Sequence, residues 1–496
     1  MHPTPMRTSA VPQPGEAEMP PAPSPAETTH SAVAHALGKP TPLSLLVFSL
    51  AILFGGALYV RLALLPAEMQ SLPHLLAASP DILHVSPLGS DRNPGTSAAP
   101  LKSLERAAEL IEAGDTVLVA PGTYEERGQF VATGTADEPI EILAQDGGKV
   151  VVTEGLYVKG SHITLDGFEV AGARTLGDGK RNADGSYADA AVQATGDHIT
   201  LRHLRVRDTK SGPWAILVNG NRNVIRDSRT SDVFKGHIAV SGDSVVVRSN
   251  RATVSTGFFE GKHADYKSTL LLIGGTSKML VEGNYLRGPS DGNLIHVPVP
   301  VENLTFRDNT ILLPGVREDS TTHTQTFGFY GSAHNVTFDG NVIGSAQRYP
   351  DGFVPGFTHF FFGTTDATGE FTQLTFKNNV LLGQNDGAYY LQFKAWDRLR
   401  GLRFENNLVN IQSGWRLPDD SADVVARRNV ILKGEVGGLR DHNLYAGPLP
   451  AGEGARSWSA RPVFVRPDLS EESDYGARAD WRLKGDAAAA NIGVLQ

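Results

Sequence analysis

Between residues 162 and 432 the chain repeats one short phrase ten times: a polar turn, then apolar residues alternating with polar ones. The copies read HITLDGFEV, HITLRHLRV, NVIRDSRTS, SVVVRSNRA, MLVEGNYLR, LTFRDNTIL, VTFDGNVIG, LTFKNNVLL, LRFENNLVN and VVARRNVIL. The later seven carry Asn at one place, Asn250, Asn284, Asn309, Asn341, Asn379, Asn407 and Asn429, at spacings of 34, 25, 32, 38, 28 and 22 residues. Alternation with period two marks a strand that shows one face to a core. Spacings this uneven exclude a helical solenoid, whose repeat length is nearly fixed. They suit a parallel β-solenoid, in which each coil contributes short strands and loops of any length leave the sides. An Asn at the same turn of each coil can hydrogen-bond to the copies above and below, which satisfies polar groups that burial would otherwise leave unpaired. Seven such copies are structural, since they cannot all belong to one active site.

The flanks add further expectations. Residues 1–42 are rich in Pro, Ala, Ser and Thr and read as a disordered tail. Next comes LSLLVFSLAILFGGALYV, residues 43–60, eighteen residues without a charge, then Arg61 and LALL. With Arg61 snorkelling, residues 43–65 match the hydrocarbon thickness of a bilayer and read as an uncleaved single-pass anchor; the alternative is a cleaved signal peptide. Arg7 and Lys39 before the helix outweigh Arg61 after it, so the C-terminal part is expected on the extracytoplasmic side. Residues 66–82 form a linker. Ser103 then stands as an N-cap before Leu104, Ala107, Ala108 and Ile111, with Gly114 at the expected C′ position. This predicts a short amphipathic helix over the open end of the solenoid. The coils are expected over 83–447 and a closing segment over 448–496.

The phrases, together with HVSPLGSDRNPGTSAAPLKSLERAAELIEAGDTVLVAPGTYEE at 84–126, resemble the right-handed parallel β-helix proteins of the pectate-lyase-like superfamily. The expected fold is therefore all-β, a right-handed parallel β-helix with a short N-terminal capping helix, preceded by one transmembrane helix. The resemblance implies contact with polysaccharide. It does not choose among lyases, epimerases, hydrolases and binding or structural members of that superfamily.

Composition narrows the partners. The formal charge is −9 with no Lys/Arg-rich block, which argues against nucleic acid. There is no Cys, so disulfides, thiolate metal sites and a Cys nucleophile are excluded. No His-x-His or paired-His motif marks a transition metal, and the Asp- and Gly-rich 173–189 stretch reads as a solvated loop, with a weak Ca²⁺ site as the alternative. Oligomeric state is not legible.

Chemistry is sought where the coils are interrupted, at 173–189, 254–268, 313–326 and 344–359. These insertions follow the Asn turn by similar intervals and should leave one side of the solenoid, walling a groove for an extended polymer. Within 257–268, GFFEGKHADYKS carries Glu260, Lys262, His263, Asp265, Tyr266 and Lys267; the preceding coil offers Lys235 and His237, the following one Arg287 and Asp291. Removing the proton α to a uronate carboxyl needs a base and a cation that neutralises the carboxylate. Lys267, His263, Tyr266, Lys235, His237 and Arg287 are the catalytic candidates, with Lys262, Asp265, Asp291 and Trp214 for substrate binding. The same parts serve β-elimination or C5 epimerisation. A hydrolase would need a carboxylate pair, for which Asp178, Asp184 and Asp189, or Asp265 with Asp291, are available. A non-catalytic, glycan-binding solenoid is the alternative. The stretch 268–288 resembles a coil of the alginate lyase and chondroitinase B type, which makes Lys267 the counterpart of the family's Lys; Gly274-Gly275 stand where that family has Arg-His, so Arg287 or Lys278 would substitute. His296 falls on an expected strand and reads as a wall residue. The aromatic sets at 327–330, 359–363 and 389–393 read as core with some outward members, and Trp214, Trp396 and Trp415 as candidates for stacking on sugar rings.

Overall fold

The computed structural model describes residues 82–173, 181–182, 184, 186, 189–209, 214–233, 236–254, 269–288, 293–313, 316–317, 325–345, 353–354, 358–363, 369–383, 391–393, 399–411, 415–416, 423–433, 436, 439–446, 448–449, 457–459, 464–466 and 480–483. The expected tail and membrane anchor lie outside these residues. Among the described residues no helix is long and apolar enough to cross a membrane.

Three parallel sheets of fifteen, eleven and fourteen strands run along the molecule; they are called here sheets 1, 2 and 3. One coil shows the path. Leu156–Ser161 lies in sheet 2, Ile163–Asp166 in sheet 1 and Glu169–Ala171 in sheet 3, after which Ala190–Asp197 re-enters sheet 2 directly beside Leu156–Ser161. Each further coil repeats this order. The alternation in the repeated phrase is the sheet 1 strand, with a buried and a half-exposed residue in turn. Its register is continuous, so that Leu165, Leu201, Ile225, Val247, Val281, Phe306, Phe338, Phe376, Phe404 and Ala426 form one interior column. In the later coils this column becomes a ring stack, with Phe338 5.1 Å from Phe306 and 4.6 Å from Phe376, both nearly coplanar.

The expected Asn ladder is present and longer than the phrases suggest. Side-chain amides of Asn250, Asn284, Asn309, Asn341, Asn379, Asn407 and Asn429 each donate to the carbonyl oxygen of the next Asn at 2.9–3.2 Å, ending on Asn443. Each amide also donates to a backbone carbonyl, as Asn341 does to Phe306. Its oxygen accepts the backbone N–H of the preceding Asn. Below the ladder Ser228 takes the same place, accepting from Leu204 N–H, and above it Ser457 accepts from Asn443 N–H. The residue before each ladder position adopts a positive φ, as at Ser249, Asp308, Asn378, Asn406, Arg428 and His442. That left-handed corner turns the chain from sheet 1 into sheet 3, and the ladder offsets its strain.

The capping helix is found at Leu104–Leu110, one turn shorter than expected at its C-terminus. Ser103 is the N-cap, its hydroxyl accepting from Arg106 N–H. The Glu126 carboxylate also accepts from Leu104 and Glu105 N–H, which places an anion at the helix N-terminus. The helix stops at Ile111, which is already extended; Gly114 turns the chain further on, at φ 87°, and its N–H donates to Glu138 carbonyl. Leu104 and Ala107 are fully buried in the common core. At the other end sheet 3 finishes on Trp458–Ser459, and Phe464–Arg466 pairs antiparallel with Asp480–Leu483.

Candidate functional site

All four long insertions leave at one corner. The chain departs sheet 3 after Ala171, Thr253, Leu313 and Ser345 and re-enters sheet 2 at Ala190, Thr269, Gln325 and Thr358. The outer face of sheet 2 therefore borders every one of them. Along that face one register column runs Tyr157, Gln193, Leu217, Ala239, Leu272, His296, Gly328, Phe361 and Gln392. It is polar toward both ends and aliphatic in the middle. Tyr157 and His296, on either side of the aliphatic stretch, are five strands apart, about 24 Å at the usual strand spacing.

At the lower end the described residues of the 173–189 insertion reach side chains of the sheet. Asp184 accepts from Tyr157 at 2.9 Å, Lys159 at 2.7 Å and Ser186 at 2.7 Å. The Lys159 ammonium and these hydroxyls hold its carboxyl well below the usual carboxylate range. Arg127 donates to Asn182 and to the carbonyls of Glu154 and Ala190, and burial lowers its guanidinium to about 10. Asp184 is thus a charged anchor for its loop. A general acid would need the opposite shift.

The upper end is built from successive coils. Asn293, on Asn293–Val297, donates to His296 Nδ1 at 2.7 Å and to Tyr330 Oη at 3.0 Å; Tyr330 donates to Gln325 Oε1 at 2.9 Å. The Tyr330 ring stands 5.2 Å from His296 and 5.5 Å from Phe361. Gly328 leaves the space that Asn293 and Tyr330 fill. An amide N–H at Nδ1 makes that nitrogen an acceptor, so the neutral imidazole carries its proton on Nε2. Burial raises the Tyr330 phenol above its ordinary value. With Nδ1 held by Asn293, the imidazole Nε2–H and the protonated phenol are two donors side by side in one site.

Of the residues singled out in the sequence, Lys267, His263, Tyr266, Lys235, Lys262, Asp265, Asp291, Asp178 and Trp396 lie outside the described residues. Trp214 opens the strand Trp214–Asn219 at the insertion corner, and its indole crosses Gly236 of the next coil, where any side chain would collide with it. Arg287 ends the strand Tyr285–Arg287 at the same corner, half-buried. Asp189 precedes sheet 2, its N–H donating to Gln193. His237 does not face outward. It is completely buried, its Nδ1 2.8 Å from Thr230 Oγ1, and burial lowers it to about 3. As the second residue of its strand it turns into the corner between sheets 2 and 3. His359, in the equivalent place, is likewise buried against Thr326 and lowered to about 4. Among the described residues no three His, Asp or Glu side chains cluster as a metal site.

Comparison with known proteins agrees with the architecture. Residues 83–259 match the family described as Pel9A-like, right handed beta helix region. Over 75 residues the chain is 40% identical to the uncharacterized protein YwoF of Bacillus subtilis (strain 168), and over 116 residues 34% identical to the pectate lyase PEL9 of Emericella nidulans. These segments are 15% and 23% of this chain, and they span only 16% and 26% of the lengths of the two relatives. Solved structures with a similar course include a rhamnogalacturonan lyase (16% identity, TM-score 0.41, covering 83% of this chain and 99% of that one) and the pectate lyase Pel9A (16%, 0.40, 83% and 91%). The family match and PEL9 support the pectate-lyase-like superfamily expected from the sequence.

Proposed function

We propose that the protein acts on an acidic polysaccharide laid along the outer face of sheet 2, by β-elimination or C5 epimerisation of a uronate, and that residues 43–65 tether it on the extracytoplasmic side of a membrane. The observation that carries the site is that three of the four long insertions, which re-enter sheet 2 at Thr269, Gln325 and Thr358, border the coils that bring Asn293, His296, Gln325 and Tyr330 together. The match to a pectate lyase segment supports the substrate class. A lysine of 255–268 takes the proton α to the carboxyl, and His296 Nε2–H donates a hydrogen bond to the carboxylate as charge builds on it. Tyr330 delivers a proton to the leaving oxygen in elimination, or back to C5 in epimerisation. Asn293 and Gln325 hold the two rings in place, and the half-buried Trp214 indole offers apolar surface to sugar rings. Arg287 and Lys267 are placed in the sequence to neutralise the carboxylate; Ca²⁺ would supply the same charge.

The full-length protein should be incubated with a panel of polyuronates, with and without Ca²⁺. Ultraviolet absorbance of new unsaturated ends reports elimination, and solvent-proton exchange at C5, read by NMR, reports epimerisation. Tyr330→Phe and His296→Gln should each lower turnover by roughly 10²–10⁴-fold, and Lys267→Ala should do so if that lysine is the base. Binding without turnover on every polymer would leave a glycan-binding solenoid. Activity unchanged in Tyr330→Phe and His296→Gln would remove this site from the chemistry.

A further inference from the structure

The outer face of sheet 3 carries a second feature that the proposed site does not use. Arg205, Arg229 and Arg251 stand at one register position on three successive strands, all exposed. Strand spacing puts neighbouring members about 4.8 Å apart at the backbone. None of the three makes an ion pair among the described residues, and Arg251 instead lies over the Tyr285 ring of the next coil at 4.0 Å. Beside them a second column reads Arg207, Ser231, Thr253 and Arg287. Arg207 is occupied by Glu169 and Asp208. Residues 202–251 contain eight Arg and two Lys against four Asp, in a chain whose formal charge is −9.

Like charges directly opposite one another on neighbouring strands are destabilising. Sheet 1 stacks Arg202, Arg226 and Arg248 in the same way, but there each is paired, with Asp166, Asp227 and Glu282 in turn. On sheet 3 the carboxylate opposite Arg205, Glu169, is taken by Arg207 and Lys149, and Arg205, Arg229 and Arg251 have no carboxylate partner among the described residues. We infer that this column is a second, non-catalytic binding strip for an acidic polysaccharide, whose chain runs along the coil axis and presents one carboxylate to each guanidinium. Arginine suits that role through its paired N–H donors, with the Ser231 and Thr253 hydroxyls available to sugar hydroxyls. An anionic membrane would favour apolar residues beside the cations, and the neighbouring positions here are hydroxyls and further charges. The strip shares with the proposed function only the class of polymer.

The test is affinity electrophoresis of the full-length protein through gels containing polygalacturonate or its methyl-esterified form, with flotation on phosphatidylglycerol vesicles in parallel. The triple variant Arg205→Gln, Arg229→Gln, Arg251→Gln is compared with a control of equal charge change, Arg92→Gln, Lys102→Gln, Lys433→Gln. Thermal unfolding establishes that both are folded. The strip predicts retention by the acidic polymer alone, weakened roughly tenfold in the first triple and unchanged in the control. Equal retention of wild type and the first triple would overturn it, as would equal retention by the esterified polymer or binding to the vesicles only. Retention that falls in the triple while no polymer is turned over would sustain the strip and sink the catalytic reading. Normal turnover with unaltered retention would do the reverse.

Discussion

A buried Asn side chain must place two N–H donors and one oxygen, and Asn341 shows how completely the coil stack does so. Its amide reaches Phe306 carbonyl at 2.9 Å and Asn379 at 3.0 Å, and its oxygen accepts both the backbone and the side-chain N–H of Asn309. In Asn341→Ala several buried groups lose partners at once, so the variant should lose about 2–5 kcal/mol of stability at about 1–3 kcal/mol for each unsatisfied group. Urea unfolding of the full-length protein measures this, and a loss below ~1 kcal/mol would show that water or relaxation replaces the ladder. The two interior histidines make a separate prediction about pH. Burial lowers His237 to about 3 and His359 to about 4, against an ordinary value of 6.5. Above that value both states are neutral and nothing changes. As pH falls below it, only the unfolded chain binds protons, so stability declines until the folded rings titrate. The slope is about 1.4 kcal/mol per pH unit for each ring. Asp91, Glu169, Asp184 and Asp243, all held below their usual values, begin to titrate in the unfolded chain only below about pH 5.5. Between about pH 6.5 and 5.5 the decline belongs to the histidines. His237→Gln should reduce the slope by about half in that interval even if it is less stable throughout; an unchanged slope would mean that the ring is hydrated in solution.

At the scale of the element, the sheets differ in how plainly the sequence declares them. Sheet 1 strands alternate buried and half-exposed side chains, and sheet 3 follows directly after the Asn turn, so both could be read from the repeated phrase. Sheet 2 could not. Gln325–Phe329 is buried at all five positions, with Phe327 and Phe329 turned inward, Gln325 bonded to Tyr330, and Gly328 making room for its neighbours. With no period of two, the partners of the candidate site lie on separate coils joined by insertions of unequal length, and nothing local marks Asn293, Gln325 and Tyr330 as neighbours. His237 misled for the same reason, since its place beside Lys235 in VFKGH hides its turn into the core. One local signal in sheet 2 was legible in retrospect: Gly160, Gly196, Gly220 and Gly242 recur where sheet 2 turns into sheet 1, all at φ between 118° and 137°. A β-carbon on Gly196 would overlap the Gly160 carbonyl of the coil below, whereas one on Gly172, at φ 71°, would meet open space. Gly172→Ala should therefore cost about 1 kcal/mol from backbone conformation alone, and Gly196→Ala about 3 kcal/mol or more. Equal losses in the two variants, measured by thermal unfolding, would show that the coils can separate locally to admit the methyl group.

On the scale of the whole molecule, stability is shared between neighbours along one axis. The buried core is continuous from Val85 to Tyr445, yet each strand pairs only with the coils on either side of it. In such a stack the coupling between coils decides whether the protein unfolds as one unit. That coupling is strongest in the later coils, where Phe306, Phe338 and Phe376 stack within sheet 1 while Phe327 meets Phe338 edge-on across the core at 5.1 Å. Phe338 is fully buried and touches both sheets. Phe338→Ala removes about 3–5 kcal/mol, all of it at one interface between coils. A globular core would spread that loss over the whole domain. Here it should divide the solenoid, so that a single urea transition becomes two, with the coils after Asn341 exchanging their amide hydrogens first and those before Asn284 keeping wild-type protection. The candidate site is built from Asn293, Gln325 and Tyr330 on coils next to that break, so glycan turnover should fall at urea concentrations where the N-terminal coils remain protected. One transition with uniform loss of protection would mean that the coupling extends beyond nearest neighbours and that the site is held by the entire stack.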